Sequence, residues 1–358
     1  MMTLAYITLT ILWLSLIAYA VLGGADFGAG VWDLLAFGYN VQRKRELINQ
    51  ALGPVWEANH VWLIFLIVGL FTAFPTVLST LSVVLFLPFT LALIGIVLRG
   101  AAFIFRTHGL GGNNPISLIW SRVFSVASTI TPFFLGVCAA AVASGRIRVQ
   151  GGSVQADIGS TWLTPFALTI GVMAVSLCAV LAAVYLTIEA QQTGDDRLVQ
   201  AFRWRAIIAG AGAAVFGALG LVLAPTEAPI LWNGMLARAL PLVIATMLIG
   251  LATAAALFLQ YYRTARLLII VETACLLGSW GLSQLPYLIP PDLTVQNTAN
   301  SPAVLQLLLI GTAVGMALLL PSLYYLFSVF KLPLPAPGVE KKDIQKESDT
   351  GGVSKDTT

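Results

Sequence analysis

The chain has 358 residues, 58% of them hydrophobic and 10% charged, with a net charge of +3 and a mean hydropathy of +0.89. Soluble domains carry about 25% charged residues, and a water-soluble chain of this composition would expose large apolar patches and aggregate. A soluble enzyme or binding domain is therefore excluded, and a chain built for the bilayer remains.

In chain order, the apolar runs predict about nine transmembrane helices, at roughly 4–37, 50–74, 78–104, 116–144, 162–190, 206–224, 240–262, 267–286 and 304–330. Runs of this length without alternation are helices rather than barrel strands. The expected fold class is an all-α polytopic membrane protein. The first run exceeds what a bilayer needs, so it should tilt, project beyond the membrane, or break at Gly23-Gly24 or Gly28. It lacks a basic leader and is too long for the apolar core of a cleavable signal peptide. Residues 1–333 form the membrane domain, and 334–358 read as a polar, disordered cytoplasmic tail.

Basic residues fall mostly on alternate connections: Arg43, Lys44 and Arg45 after span 1, Arg106 after span 3, Arg197, Arg203 and Arg205 after span 5, and Arg263 and Arg266 after span 7. The tail adds more lysines, while the opposite connections hold only Arg146, Arg148 and Arg238. The positive-inside rule then places the N-terminus outside and the C-terminus in the cytoplasm. Cys138, Cys178 and Cys275 sit in separate apolar runs, show neither metal nor disulfide spacing, and read as small buried hydrophobes.

Within the spans lie Asp26, Asp33, Glu57, His60, Arg99, Arg122, Glu189 and Glu272. An ionised group at mid-membrane costs at least about 2.5–3.5 kcal/mol, so such groups face a protein interior or a wet cavity. Asp33, Arg122 and Glu189 are near span ends and should reach the interface, and Arg99 is close enough to one to snorkel. Glu272 sits about a turn and a half into span 8, within reach of Arg266 or Arg263.

Spans 1 and 2 concentrate the unusual chemistry. Span 1 reads Gly23-Gly24-Ala25-Asp26-Phe27-Gly28-Ala29-Gly30, so that Asp26, Gly30 and Asp33 share a helix face and the glycines let a second backbone approach. Span 2 reads Gly53-Pro54-Val55-Trp56-Glu57-Ala58-Asn59-His60-Val61-Trp62, with Glu57 and His60 at i,i+3 beside Asn59 and two indole donors. Such a cluster can pass protons, because buried carboxylates exchange them, or it can serve only as a polar knot between helices. His60 is the one histidine inside a span, His108 falling in a connection, so no histidine pair is available for several haems. There is no phosphate-binding glycine loop and no zinc spacing.

The runs Gly24–Gly30 and Pro54–Leu63, with Arg43–Arg45, Phe71-Thr72-Ala73-Phe74-Pro75 and Leu98-Arg99-Gly100-Ala101-Ala102-Phe103-Ile104-Phe105-Arg106, closely resemble subunit II of the cytochrome bd ubiquinol oxidases. They cover about the first third of the chain; the remainder agrees in length, span number and hydropathy. The resemblance implies a haem-free subunit of a bacterial cytoplasmic-membrane terminal oxidase that oxidises quinol and reduces O2 to water. It implies two four-helix bundles plus a peripheral helix, and a partner subunit I carrying haem b and haem d. It leaves room for a small single-span accessory subunit and for a bound quinone or lipid. It further implies that Asp26 and Glu57 contribute to proton uptake, with Trp56, Trp62 and Arg99 at a subunit interface or oxygen path. Here Gly23 stands where many relatives have Asp, and Glu57-Ala58 where many have Asp-Gly. Two alternatives from other classes are a proton-coupled secondary transporter and a purely structural membrane scaffold.

Overall fold

A computed structural model describes residues 2–36, 41–52, 56–108, 115–150, 153–155 and 157–331; at 49–52 and 56–58, among others, the description is confined to the backbone. The tail expected at 334–358 and the Gly53-Pro54-Val55 segment lie outside the described residues. By its internal contacts the chain divides into a unit of residues 1–312 and a second of 313–358.

The helices are α1 (Met2–Leu34), α2 (Val41–Leu52), α3 (Trp56–Ala73), α4 (Pro75–Val84), α5 (Phe86–His108), α6 (Pro115–Ala143) and α7 (Ile158–Trp162). There follow α8 (Pro165–Gln192), α9 (Asp196–Glu227), α10 (Pro229–Gly234), α11 (Leu240–Phe258), α12 (Tyr262–Gln284), α13 (Val295–Thr298) and α14 (Pro302–Lys331). Two short antiparallel hairpins interrupt them: β1 (Arg148–Gln150) with β2 (Ser153–Gln155), and β3 (Tyr287–Ile289) with β4 (Leu293–Thr294). Among the described residues, eight helices are long and apolar enough to cross a membrane, or nine if the bent pair α3 and α4 counts as one span.

Three expectations change. First, of the three outcomes open to the first run the break does not occur: α1 runs unbroken through all of its glycines for 33 residues, about 50 Å at 1.5 Å per residue. Second, the run predicted at 50–74 is occupied by α3, while the preceding segment, read as a connection, forms α2, whose Leu47 and Ile48 are buried and whose last three residues reach into the predicted run. Third, the run predicted at 78–104 begins late, because α4 leaves α3 at 116° before α5 starts at Phe86. Pro75 disfavours helical geometry at Phe74, which sits at φ −137° and ψ 60°. Asn300 then takes up carbonyls freed at the bend, its backbone N–H donating to Ala73 O (2.9 Å) and its amide to Thr72 O (2.9 Å).

The first unit is organised around α8, which packs on α1, α6 and α9, while α1 also meets α3 and α6 and α5 lies on α6. Close approach is built into α1. A Cβ at Gly28 would run into the backbone carbonyl of Cys178 on α8, and one at Gly30 into Ser128 of α6. Cys138 and Cys178 are buried, Cys275 is half-buried, and all three are free thiols.

Polar side chains sort the connections into two ends. Arg43 pairs with Asp195 (3.1 Å), and Arg203 donates to the carbonyls of Leu257 and Phe258 (2.9 and 3.0 Å), joining the connections after α1, α8 and α11. Asp195 also caps α9 by accepting from the N–H groups of Arg197 and Leu198. At the other end Arg146 donates to Ser160 O (3.1 Å) and approaches Glu227 (3.9 Å), and Arg148 pairs with Asp292 (3.0 Å). Burial pushes the Asp292 carboxyl up, but the Val149 N–H and Arg148 outweigh it and hold the group below the usual carboxylate range.

Candidate functional site: an acidic column on the first helix

Every seventh residue of α1 from Ala5 onward is buried: Ala5, Leu12, Tyr19, Asp26 and Asp33. A seven-residue step returns to nearly the same face, drifting only about 20° each time. The upper part of this stripe is apolar and the lower part polar, so one face of one helix carries a hydroxyl and two carboxyls into the protein interior.

Asp26 meets α3 and α5. The amide of Asn59 donates to its Oδ2 at 2.6 Å, and the guanidinium of Arg99 lies 3.9 Å away. Arg99 is 2% exposed and does not snorkel. Its guanidinium carbon lies 5.0 Å from the Phe27 ring centroid and 5.3 Å from that of Phe124, and its Nε donates to Ser128 Oγ at 3.2 Å. Cation–π contacts and a carboxylate together replace the water that a guanidinium loses on burial.

Asp33 corrects another expectation. It does not reach out to the interface: its side chain has 0% exposure, pairs with Arg45 Nε at 3.3 Å and accepts from Ser125 Oγ at 2.7 Å. Arg122, by contrast, is exposed and Glu189 half-buried. The neighbouring Trp32 indole donates to Ala179 O at 2.8 Å and lies beneath Arg205, 5.6 Å from its guanidinium carbon.

His60 is half-buried, its ring 6.0 Å from that of Tyr19 and 6.2 Å from that of Phe27. That packing makes the imidazole part of an aromatic cluster with Tyr19 and Phe27. Trp62 packs against the same Tyr19, Phe27 and Cys178 cluster, and its backbone carbonyl accepts from Ser15 Oγ at 2.8 Å. The side chains of Trp56 and Glu57 lie outside the described residues, although their backbones open α3.

Glu272 stands apart. It lies midway along α12 rather than near its start, ten residues from Tyr262, about 15 Å along the axis. It accepts from Thr253 Oγ1 at 3.2 Å and faces Gly250 of α11. None of the ion pairs among the described residues joins it to Arg263 or Arg266, and the Arg266 guanidinium lies over Tyr185 instead. Among the described residues, no group of three or more His, Cys, Asp or Glu is arranged to hold a metal ion.

The sequence pointed to Asp26, Asn59 and Arg99, which the fold brings together. It missed Tyr19, Ser125, Ser128 and the Arg45–Asp33 pair. The seven-residue spacing of Tyr19, Asp26 and Asp33 was the available signal; serines on a distant helix gave none.

The family model for cytochrome bd terminal oxidase subunit II matches residues 4–330. The chain belongs to that family. It is thus a membrane subunit of an oxidoreductase, which sets the transporter alternative aside. This subunit II is 25% identical over 335 residues to the putative cytochrome bd menaquinol oxidase subunit II of Bacillus subtilis, covering 91% of this chain and 95% of the relative. It is 31% identical over 182 residues to the cytochrome bd ubiquinol oxidase subunit 2 of the same organism, about half of each chain. The match to cytochrome bd-I ubiquinol oxidase subunit 2 of Escherichia coli is 28% over 185 residues, covering 48% of this chain and 45% of that one. Its fold matches a chain in the structure of bd oxidase from Geobacillus thermodenitrificans with a TM-score of 0.74, covering 93% of this chain and 100% of the other at 22% identity.

Proposed function

We propose that this chain is the haem-free subunit II of a quinol:O2 oxidoreductase in a bacterial cytoplasmic membrane, and that it supplies part of the proton-uptake path to its haem-bearing partner. Two four-helix bundles and a peripheral helix, N-terminus outside and C-terminus cytoplasmic, form the framework. Two quinols release four electrons and four protons on the outer side, and reduction of O2 to two waters consumes four electrons and four protons. Protons drawn from the cytoplasm for that reduction generate a membrane potential without a pump. Haem b and haem d, bound in subunit I, supply the electron transfer and the oxygen chemistry. The relatives are named for different quinols, so the substrate here is assigned only as quinol. A quinone or lipid bound in this chain and a small accessory subunit belong to the same reading.

The observation that carries the proton role is Asp26, buried in α1 with the Asn59 amide and Arg99 against one carboxylate oxygen. A carboxyl held between a neutral donor and a fixed cation is placed to take up a proton and release it without its helix moving. Glu57, whose backbone opens α3 next to Trp56, is the second relay group. Trp56, Trp62 and Arg99 line the subunit interface or an oxygen path. Glu272 is assigned a packing role.

The test is oxygen consumption and charge separation by assembled complexes carrying Asp26→Asn or Glu57→Gln, at equal haem absorbance. We expect each to slow turnover about tenfold or more, the scale of a lost proton-transfer group. Wild-type turnover in both overturns the proton role. A loss of haem content in proportion to activity favours the scaffold reading.

A further inference from the structure

The polar column continues beyond Asp26 to the end of α1. Asp33 lies two turns further along the same face, with 0% side-chain exposure, while its partner Arg45 is 34% exposed. A buried carboxyl is thus one ion pair away from solvent. A carboxylate taken out of water costs several kcal/mol unless paired and hydrogen-bonded, and Arg45 Nε at 3.3 Å and Ser125 Oγ at 2.7 Å both serve it. A staple between α1 and α2 would require only the arginine. What a staple leaves unexplained is the chain of hydroxyls that follows.

Ser125 and Ser128 stand three residues apart on α6, and so on one face of it. The first touches Asp33 Oδ2, and the second accepts from Arg99 Nε at 3.2 Å, the same Arg99 that pairs with Asp26. Their Cβ atoms are about 5–6 Å apart, a gap that two hydrogen bonds of about 2.8 Å through one water would close. Gly30, between the two acids on α1, admits Ser128: a Cβ there would overlap Ser128 Cβ and Oγ. Ser128 donates to Phe124 O of its own helix (2.7 Å), and the single proton of Ser125 can turn from Asp33 to Ser121 O (3.0 Å). Turning a hydroxyl out of such a bond costs about 1 kcal/mol, the net worth of one hydrogen bond. A hydroxyl that both donates and accepts can hand on a proton by that rotation.

We propose that Asp33 is the mouth through which protons reach Asp26, with Arg45 as its gate to solvent and Ser125 and Ser128 as the intervening positioning hydroxyls. The proposal rests on the reading of Asp26 as a relay. Each proton taken from water at Asp33 passes Ser125 and Ser128 and crosses the last gap to Asp26 on a water beside Arg99. As a permanent cation without an acceptor lone pair, Arg99 orients that step and carries no proton. No electron moves within the chain, and all side chains return to their starting state. Arg45, with Arg205 over the adjacent Trp32, makes this mouth cationic. A carboxyl is then the group that lets a proton enter there.

The experiment compares Asp33→Asn, Asp33→Glu and Ser125→Ala with Asp26→Asn in assembled complexes of equal haem absorbance, reading oxygen consumption and charge separation with and without added formate. We expect Asp33→Asn to slow turnover about tenfold or more, formate to restore part of that rate by carrying protons past the missing carboxyl, Asp33→Glu to run near wild type, and Ser125→Ala to slow turnover a few-fold. Wild-type turnover in Asp33→Asn beside a slow Asp26→Asn overturns the mouth and leaves the Asp26 relay standing. Wild-type turnover in both overturns the relay itself. A slow Asp33→Asn that ignores formate, together with an equally slow Asp33→Glu, marks a structural staple and also overturns the proposal. Should Asp33→Asn fail to assemble, Ser125→Ala decides, and an unchanged rate there counts against the path.

Discussion

A guanidinium buried to 2% exposure governs what Asp26 can do. Arg99 has Ser128, Phe27 and Phe124 around it, and Asp26 is its charged partner among the described residues. Removing one member of a buried pair leaves the other desolvated, typically at a cost of about 3–5 kcal/mol, whereas removing both is far cheaper. We therefore expect Arg99→Gln to lower the thermal midpoint of the assembled complex sharply. Arg99→Gln with Asp26→Asn should recover more than half of the lost stability while turnover stays low. Thermal melting of the four complexes in the cycle checks this, and strict additivity would mean that the pair at 3.9 Å is energetically uncoupled. At this scale the sequence showed the costly residues but not their fates. Asp33 and Arg99 looked alike, each close to a span end, and both turned out to be buried. The reason is tertiary: Arg45 on α2 and Ser125 on α6 come to Asp33, and no spacing within span 1 reveals them.

At the scale of helices, the glycines of α1 act through the space they leave rather than through flexibility. Gly28 brings α1 onto the backbone of α8 at Cys178, so Gly28→Ala must push the helices apart. Overpacking of this kind costs about 1–3 kcal/mol. Gly210 of α9 is the control, with nothing closer than 4.0 Å to its added Cβ. There alanine should be neutral or stabilising by roughly 0.5–1 kcal/mol through helix propensity. Thermal midpoints of the two variants, measured in the same detergent, test the contrast; equal shifts would show that α1 and α8 can move apart freely. Span positions were legible because the bilayer enforces length and apolarity. The glycine run was legible as a site of close approach, though not as an unbroken helix. Helix α2 was hidden because it begins among the basic residues Arg43, Lys44 and Arg45 of a connection, with only Leu47 and Ile48 buried among its described side chains. The sharp exit at Pro75 depends on Asn300, far along the chain, and the two hairpins are too short to carry a periodic signal.

For the whole molecule, the decisive property is which end faces the cytoplasm, because it fixes the side from which Asp33 could draw protons. The structure gathers the connections after α1, α8 and α11 at one end through Arg43–Asp195 and the Arg203 bonds to Leu257 and Phe258. Arg45, Arg197, Arg263 and Arg266 belong to those same connections. The other end holds the Arg146 and Arg148 contacts with Ser160, Glu227 and Asp292. Such an excess of basic residues in short connections is a cytoplasmic mark. Single cysteines at two exposed positions test it: Ser153→Cys in the β1–β2 hairpin and Gln192→Cys at the end of α8. The native thiols lie inside α6, α8 and α12, two of them buried, and give a low background. In intact cells a membrane-impermeant maleimide should label Ser153→Cys at once and Gln192→Cys only after permeabilisation. The reverse pattern would turn the molecule over. Asp33 would then open to the outer side, the side to which the proposed mechanism assigns proton release by quinol, and uptake through α1 could no longer build a membrane potential.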